Sequence, residues 1–176
     1  IGTGNKGKAA ELADLLHGLD WAVRSLADYP TIASPVEDGE TFEANALVKA
    51  EYFCRQFDVA CVADDSGLVV DALNGAPGVL SARYSGEGAT DASNNAKLLA
   101  KLASVPWDKR TARFVCCVAF VRPGGLPHTE FGIAEGRIGF EPRGPNGFGY
   151  DPLFFPEGYD RTFGQMTHDE KRHISH

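Results

Sequence analysis

The sequence predicts an α/β protein with helices flanking a mixed sheet. Two observations lead there: helical and strand-like apolar periods alternate through the first half of the chain, and two long β-prone runs flank a Gly-Gly turn in the second half. No internal repeat and no low-complexity segment interrupts them.

Taken in order, Lys8 to Leu19 carries Ala9, Leu12, Leu15, Leu16 and Leu19 at helical spacing and stops near Gly18. The run WAVRSL, Trp21 to Leu26, reads as a strand, and Pro30 to Gly39 is rich in turn residues. Thr41 to Phe57 reads as a long helix with Phe42, Ala46, Phe53 and Phe57 facing inward. VACVA is a short apolar strand that ends at Asp64, and Leu68 to Leu73 is a second β-prone run, so Asp65-Ser66-Gly67 is expected to turn between them. A loop, NGAPGVLSARYSGEGAT, leads to a helix from Asp91 to Leu102 capped by Thr90 or Asp91. The segment from Thr111 to Ile138 reads as strands around the Gly-Gly turn, the clearest hairpin signal in the chain. After a Pro-, Gly- and aromatic-rich loop from Glu141 to Gly158, Thr167 and Glu170 form a capping box that starts a last helix.

At 176 residues the chain is expected to form one domain over 1–176. With 43% hydrophobic and 23% charged residues it is neither disordered nor a disulfide-dense scaffold. Its formal charge of −7 gives the whole protein no electrostatic reason to sit on nucleic acid or an anionic membrane, so any phosphate must be met by local lysines or a metal. The four cysteines, Cys54, Cys61, Cys116 and Cys117, lie in apolar runs without C-x-x-C spacing and read as reduced, buried thiols of a cytosolic protein. No run is long enough to span a membrane and no signal peptide is visible. The chain opens on IGTGNKGK without a Met, as though inside the end of a strand, so a few apolar residues are expected before Ile1.

Three motifs carry chemistry. GTGNKGKA, Gly2 to Ala9, is a Gly-rich turn before a helix, where backbone N–H groups and the helix dipole suit a phosphate and Lys6 or Lys8 adds charge. It matches most of a P-loop, yet Ala9 stands where that motif needs a hydroxyl for Mg²⁺, and a tight turn with Asn5 capping the helix explains it equally well. In VACVADDSG the adjacent acids Asp64 and Asp65 repel each other and resist desolvation unless a cation compensates. Mg²⁺ with a bound phosphate is the economical cation, since it takes one or two carboxylates plus substrate oxygens, and Glu37 offers a third acid. Asn45 and Lys49 share a helix face; a solvated lysine is the commoner reading of such a pair, and Lys49 by itself carries no assignment. In GPNGFGYDPLFF, Gly144 to Phe155, Phe148 between glycines offers a ring face to a base beside Asp151, while Leu153, Phe154 and Phe155 read as core.

The order of motifs is more specific than any one of them. TGNKGK, EDGETFEANALVKA, ADDSGLVVDALNGAPGVLSARY, GPNGFGYDPLF and MTHDEKRHISH together resemble the inosine triphosphate pyrophosphatase family, the nonstandard purine nucleoside triphosphate pyrophosphatases, over essentially the whole chain. The resemblance implies hydrolysis of ITP, dITP or XTP to the monophosphate and pyrophosphate with Mg²⁺, by a cytoplasmic homodimer. It also implies a long mixed sheet in two lobes with the active site in the cleft between them. By this resemblance Thr3, Gly4, Asn5, Lys6, Gly7 and Lys8 form the triphosphate-binding turn, and Lys49 and Lys171 neutralise further phosphate charge. Glu37 and Asp65 match the metal-binding acids, with Asp65 also the proton acceptor, Asp64 an acid holding water or metal, and Ser66 beside the substrate. Phe148, Gly149, Tyr150 and Asp151 match the segment that receives the nucleoside, and Ser175 with His176 begins the motif that reads the purine. The family pattern continues past His176 to an Arg and a C-terminal helix, which are expected beyond the given sequence. Two readings from other classes stand beside it: a P-loop NTPase or kinase using Gly2 to Lys8, and a nucleotide-binding module without catalysis.

Overall fold

The computed structural model describes residues 1–4 and 6–176, with the side chains of Lys6 and Glu11 outside the described set. Asn5, expected to cap the first helix, therefore lies outside the described residues. The elements are helix α1 (Lys6–Leu16), helix α2 (Phe42–Phe57), strand β1 (Cys61–Val70), helix α3 (Asp91–Lys101), strands β2 (Thr111–Val121), β3 (His128–Ile138) and β4 (Phe154–Pro156), and the short helix α4 (His168–Arg172). The strands form one four-stranded sheet in the order β1-β2-β3-β4, with β3 and β4 antiparallel, Ile138 opposite Phe154 and Gly136 opposite Pro156. Helices and sheet together give the α/β class that the sequence predicts.

Local chemistry explains the helix ends. Thr41, in an extended conformation, accepts the Ala44 N–H on its hydroxyl at 3.1 Å and starts α2; Asp58, in the left-handed region, stops it. Thr90 caps α3 and Thr167 caps α4, each through a reciprocal capping box, with Ser93 and Glu170 respectively. The β2–β3 hairpin turns through Gly124 at φ 69°, a conformation that glycine adopts without strain.

The chain divides into two compact units: Ile1–Asp65 with Cys117–Phe131, and Ser66–Cys116 with Gly132–His176. The first packs Ala46, Ala50, Phe53 and Cys54 of α2 on Cys61 and Ala63 of β1 and on Cys117, Ala119 and Val121 of β2. The second buries Leu68 and Val70 of β1, Leu98 of α3 with Leu102 just beyond it, Ala112 and Phe114 of β2, and Phe154, Phe163 and Met166. Along β1 the core positions are 61 and 63, then 68 and 70; along β2 they are 112 and 114, then 117, 119 and 121. Side chains alternate along a strand, so this change of phase falls where each strand passes from one unit into the other. Asp64 and Asp65 sit at that changeover in β1, and both are buried there.

Four expectations are corrected. β1 runs unbroken through Asp64-Asp65-Ser66-Gly67, so the acids lie inside a strand and not on a turn between two strands. WAVRSL forms no strand: the Trp21 N–H bonds to the Leu19 carbonyl and the Val23 N–H to the Trp21 carbonyl, closing the backbone locally, while the Trp21 ring packs edge-on against Phe120. The loop from Glu141 to Gly158 contains β4, too short to show a period and ended by a proline, which suits an edge strand. The first helix also ends at Leu16, one turn before the expected Leu19. Among the described residues, no helix is long and apolar enough to cross a membrane.

Candidate active site

In the first unit, α2 and β1 bring the predicted acids and lysines together. Asn45 and Lys49, one turn apart on α2, are both buried and aimed at β1, which corrects the reading of Lys49 as a solvated surface lysine. Lys49 Nζ lies 2.8 Å from Glu37 Oε2 and 3.2 Å from Asp65 Oδ1, so one ammonium bridges two carboxylates. Asn45 Nδ2 donates to Asp65 Oδ2 at 3.1 Å, and Asn45 Oδ1 accepts the Gly39 N–H at 2.8 Å. A Cβ on Gly39 would run into the Asn45 amide, so glycine is required for this close approach. Lys8 Nζ pairs with Asp64 Oδ2 at 2.7 Å.

The electrostatics follow from burial. Asp64 is 4% exposed and Asp65 9%, and such carboxylates stay in an interior only when paired. Lys8 and Lys49 supply that pairing. Burial pulls the Lys49 ammonium down, but the hydrogen bond to Glu37 and the charges of Asp65, Glu37 and Asp64 outweigh it and raise its pKa above the ordinary 10.5. One vacancy in bonding remains: Asp64 Oδ1 is buried with no hydrogen-bond partner among the described residues. Thr3 is half-buried and Gly4 exposed, while Gly7 and Lys8 lie in the first turn of α1. Gly2 fixes the approach to this turn, its N–H donating to the Val62 carbonyl at 2.7 Å. Ser66 follows Asp65 in β1 and is half-buried.

In the second unit, Asp151 is the hub. Its Oδ2 accepts the Phe148 N–H at 2.9 Å and pairs with Lys171 Nζ at 2.9 Å; that ammonium also lies 4.5 Å from the centre of the Phe148 ring. Lys171 belongs to α4, which the Thr167–Glu170 capping box starts, and is buried. Tyr150 is buried, its hydroxyl donating to the Ser81 carbonyl at 2.8 Å, and burial pushes its pKa up, so it anchors the loop from within the core. The loop is laced to a neighbouring one: the Asn146 N–H donates to the Gly164 carbonyl, the Gly164 N–H to the Asp151 carbonyl, and the Thr162 hydroxyl to the Arg143 carbonyl. The Ser175 N–H donates to the Lys171 carbonyl at 2.8 Å, and the His176 ring stacks on Phe114 with centroids 4.8 Å apart. Leu153 and Phe154 are core, as expected, and Phe155 is half-buried.

The sequence argument left three participants unassigned. Asn45, which orients Asp65, was visible as a neighbour of Lys49 on the helix face. Asp91 and Asn95, which hold Gly149, had no residue-type signal beyond their place near the start of a helix. Among the described residues no group of three or more His, Cys, Asp or Glu side chains forms a metal-holding cluster.

Lysine–carboxylate pairs on a helix and strand beside a Gly-rich turn mark the first unit of this α/β protein, and an aromatic between glycines on a pinned loop marks the second. A sequence profile of the Ham1 family matches residues 1–176, and the chain belongs to that family. A dITP/XTP pyrophosphatase of Exiguobacterium sibiricum is 50% identical over 176 residues, covering 100% of this chain and 89% of the relative. Among solved structures, a HAM1 protein from Coxiella burnetii superposes with a TM-score of 0.90 at 39% identity, covering 99% of this chain and 89% of that one. A nucleoside-triphosphatase / dITP/XTP pyrophosphatase from Mycobacterium abscessus superposes with a TM-score of 0.81 at 45% identity, covering 98% of this chain and 90% of that one.

Proposed function

We propose that this protein is a nucleoside triphosphate pyrophosphohydrolase that cleaves dITP, XTP and ITP to the nucleoside monophosphate and pyrophosphate. The observation that carries the reading is the bridge Glu37–Lys49–Asp65 with its neighbour pair Lys8–Asp64, in a chain of this family. Simple anion binding gains nothing from three acids, whereas hydrolysis needs acids to accept a proton and lysines to hold phosphate charge.

Mg²⁺ fits this set. Asp64 Oδ1 has no partner among the described residues and is open to a further one, and the Glu37 and Asp65 carboxylates already converge on one cation, Lys49. Two carboxylates with substrate oxygens and water suffice for this ion, so the lack of a larger cluster does not count against it. Glu37 and Asp65 would hold the metal, whose chemistry is to neutralise charge on the triphosphate and on the departing pyrophosphate.

The chain's own residues do the rest. Lys8, Lys49 and the N–H groups of the turn from Thr3 to Lys8 hold the phosphates, and Lys171 adds a further cation. Asn45 fixes the Asp65 carboxylate by engaging Oδ2. A water attacks the α-phosphorus, its proton passes to Asp65 with Asp64 holding the water, and the bond to the bridging oxygen breaks so that pyrophosphate leaves. Ser66 lies beside the reacting group. Phe148, Gly149, Tyr150 and Asp151 receive the nucleoside, with Ser175 and His176 reading the purine. A 6-keto acceptor satisfies donors there that a 6-amino group leaves unpaired, the kind of mismatch that discriminates strongly. A homodimer and a cytoplasmic location complete the reading and rest on the family resemblance.

Incubation with Mg²⁺ and each of dITP, XTP, ITP, GTP and ATP, with product identification, tests it. Pyrophosphate from the first three supports the reading. Orthophosphate would indicate a P-loop type of reaction, against which Ala9 already argues, and binding without turnover would indicate a module without catalysis.

A further inference from the structure

The loop that carries Phe148 owes its shape to residues of α3 that the proposed chemistry does not use. Asp91 and Asn95 stand at i and i+4 and share a helix face. Asp91 Oδ2 accepts the Gly149 N–H at 2.7 Å, and Asn95 Nδ2 donates to the Gly149 carbonyl at 3.0 Å. One helix thus holds both polar groups of one residue's backbone. Gly149 has φ 59°, and a Cβ there would meet nothing within 4 Å, so glycine is demanded by conformation and not by space. The positions on either side are tied as well, Phe148 through its N–H to Asp151 and Tyr150 through its hydroxyl to Ser81. Asn95 is 8% exposed, and its Oδ1 has no hydrogen-bond partner among the described residues. A buried amide that leaves its own oxygen unbonded is costly for stability, and its nitrogen donates the bond that fixes Gly149.

We propose that Asp91 and Asn95 are positioning residues for nucleoside recognition: they fix the Gly149 peptide and thereby the attitude at which Phe148 meets the purine. This rests on the reading that Phe148 to Asp151 receives the nucleoside. Asp91 and Asn95 touch no reacting atom, so their removal weakens substrate binding and leaves the chemical step alone.

The test is steady-state hydrolysis of dITP by the full chain with Mg²⁺ in Asp91→Ala, Asp91→Asn, Asn95→Ala and Phe148→Ala, together with inhibition by inorganic pyrophosphate, which has no nucleoside. Asp91→Ala and Asn95→Ala are expected to raise KM by about five- to tenfold, with kcat changed by less than about twofold and pyrophosphate inhibition unmoved. Asp91→Asn keeps an acceptor oxygen and drops the charge, so it returns KM to near the wild-type value; this separates the hydrogen bond from a helix N-terminal charge effect. Unchanged KM in both alanine variants, with a raised KM in Phe148→Ala, overturns the positioning role. Unchanged KM in Phe148→Ala overturns the nucleoside reading and this proposal with it. Should Asn95→Ala fail to fold, the exposed Asp91 and its two variants decide the matter.

Discussion

The two clusters are held in place by different means. In the first unit the side chains proposed for the chemistry hold one another: Lys49 pairs with Glu37 and Asp65, and Lys8 with Asp64. In the second unit one such pair, Asp151 with Lys171, stands beside a loop held by groups outside the proposed chemistry: the Gly149 backbone by Asp91 and Asn95, and the Tyr150 hydroxyl by the Ser81 carbonyl. Ion pairs between functional groups can change partners when a triphosphate and a cation arrive. Hydrogen bonds to a loop backbone keep a shape whatever arrives. The first cluster is therefore built for exchange of charge and the second for a fixed surface.

The largest effect expected from breaking this contrast is in the first cluster. Asp65→Asn removes the proposed proton acceptor and keeps one acceptor oxygen, enough for Lys49 or Asn45 but not both, so turnover should fall by about 10²- to 10⁴-fold while the melting curve stays cooperative. Phe148→Ala comes next: loss of a stacking face is expected to raise KM for dITP by about tenfold or more, measured against unchanged inhibition by pyrophosphate.

Lys49→Gln turns from activity to stability. It leaves the Asp65 and Glu37 carboxylates without their shared cation, and because Glu37 is a third exposed the loss is expected to be about 2 kcal/mol, below that for a fully buried pair. Urea denaturation at neutral pH should show a lower midpoint with an unchanged slope. The same variant sets a pH dependence. The folded pKa of Lys49 is raised, so its contribution is fully present below the ordinary value of 10.5 and is lost as pH rises through the folded value. The gap in midpoint between wild type and Lys49→Gln should therefore hold at neutral pH and close above about 10.5.

The smallest effect belongs to the cap of α4. The Thr167 N–H and Arg161 hold the Glu170 carboxylate below its usual 4.5, so the cap's contribution is present above that value and fades as pH falls through the lowered one. Glu170→Gln should lower the melting temperature slightly at neutral pH, and the difference from wild type should vanish as pH falls through the lowered value. Since α4 carries Lys171, the pairing with Asp151 makes this visible in KM if the cap frays.

Where local chemistry decides, the sequence was a sufficient guide. The helix from Thr41, the hairpin around Gly124 and the box between Thr167 and Glu170 each follow from periodicity or from a cap or turn residue. Asp64 to Gly67 misled because two acids followed by Ser-Gly have every local mark of a turn. Burial within a continuous strand and two distant lysines, Lys8 and Lys49, overrode those marks. WAVRSL misled in the opposite sense: among the described residues its β-prone run joins no strand, and the Trp21 and Val23 N–H groups bond to carbonyls two residues back. In the site, charged residues were legible as motifs. Asp91 and Asn95 were not, because a side chain that bonds a distant backbone leaves no pattern in the residue types around it.

The central claim is that the Glu37, Asp64 and Asp65 set directs water to the α-phosphorus. Hydrolysis of dITP in heavy-oxygen water, with mass spectrometry of both products, tests it most directly. The account predicts pyrophosphate and dIMP in equal amounts with the label in dIMP, and no labelled product from Asp65→Asn on the same timescale. Label in the pyrophosphate, release of orthophosphate, or wild-type rates in Asp65→Asn would contradict it.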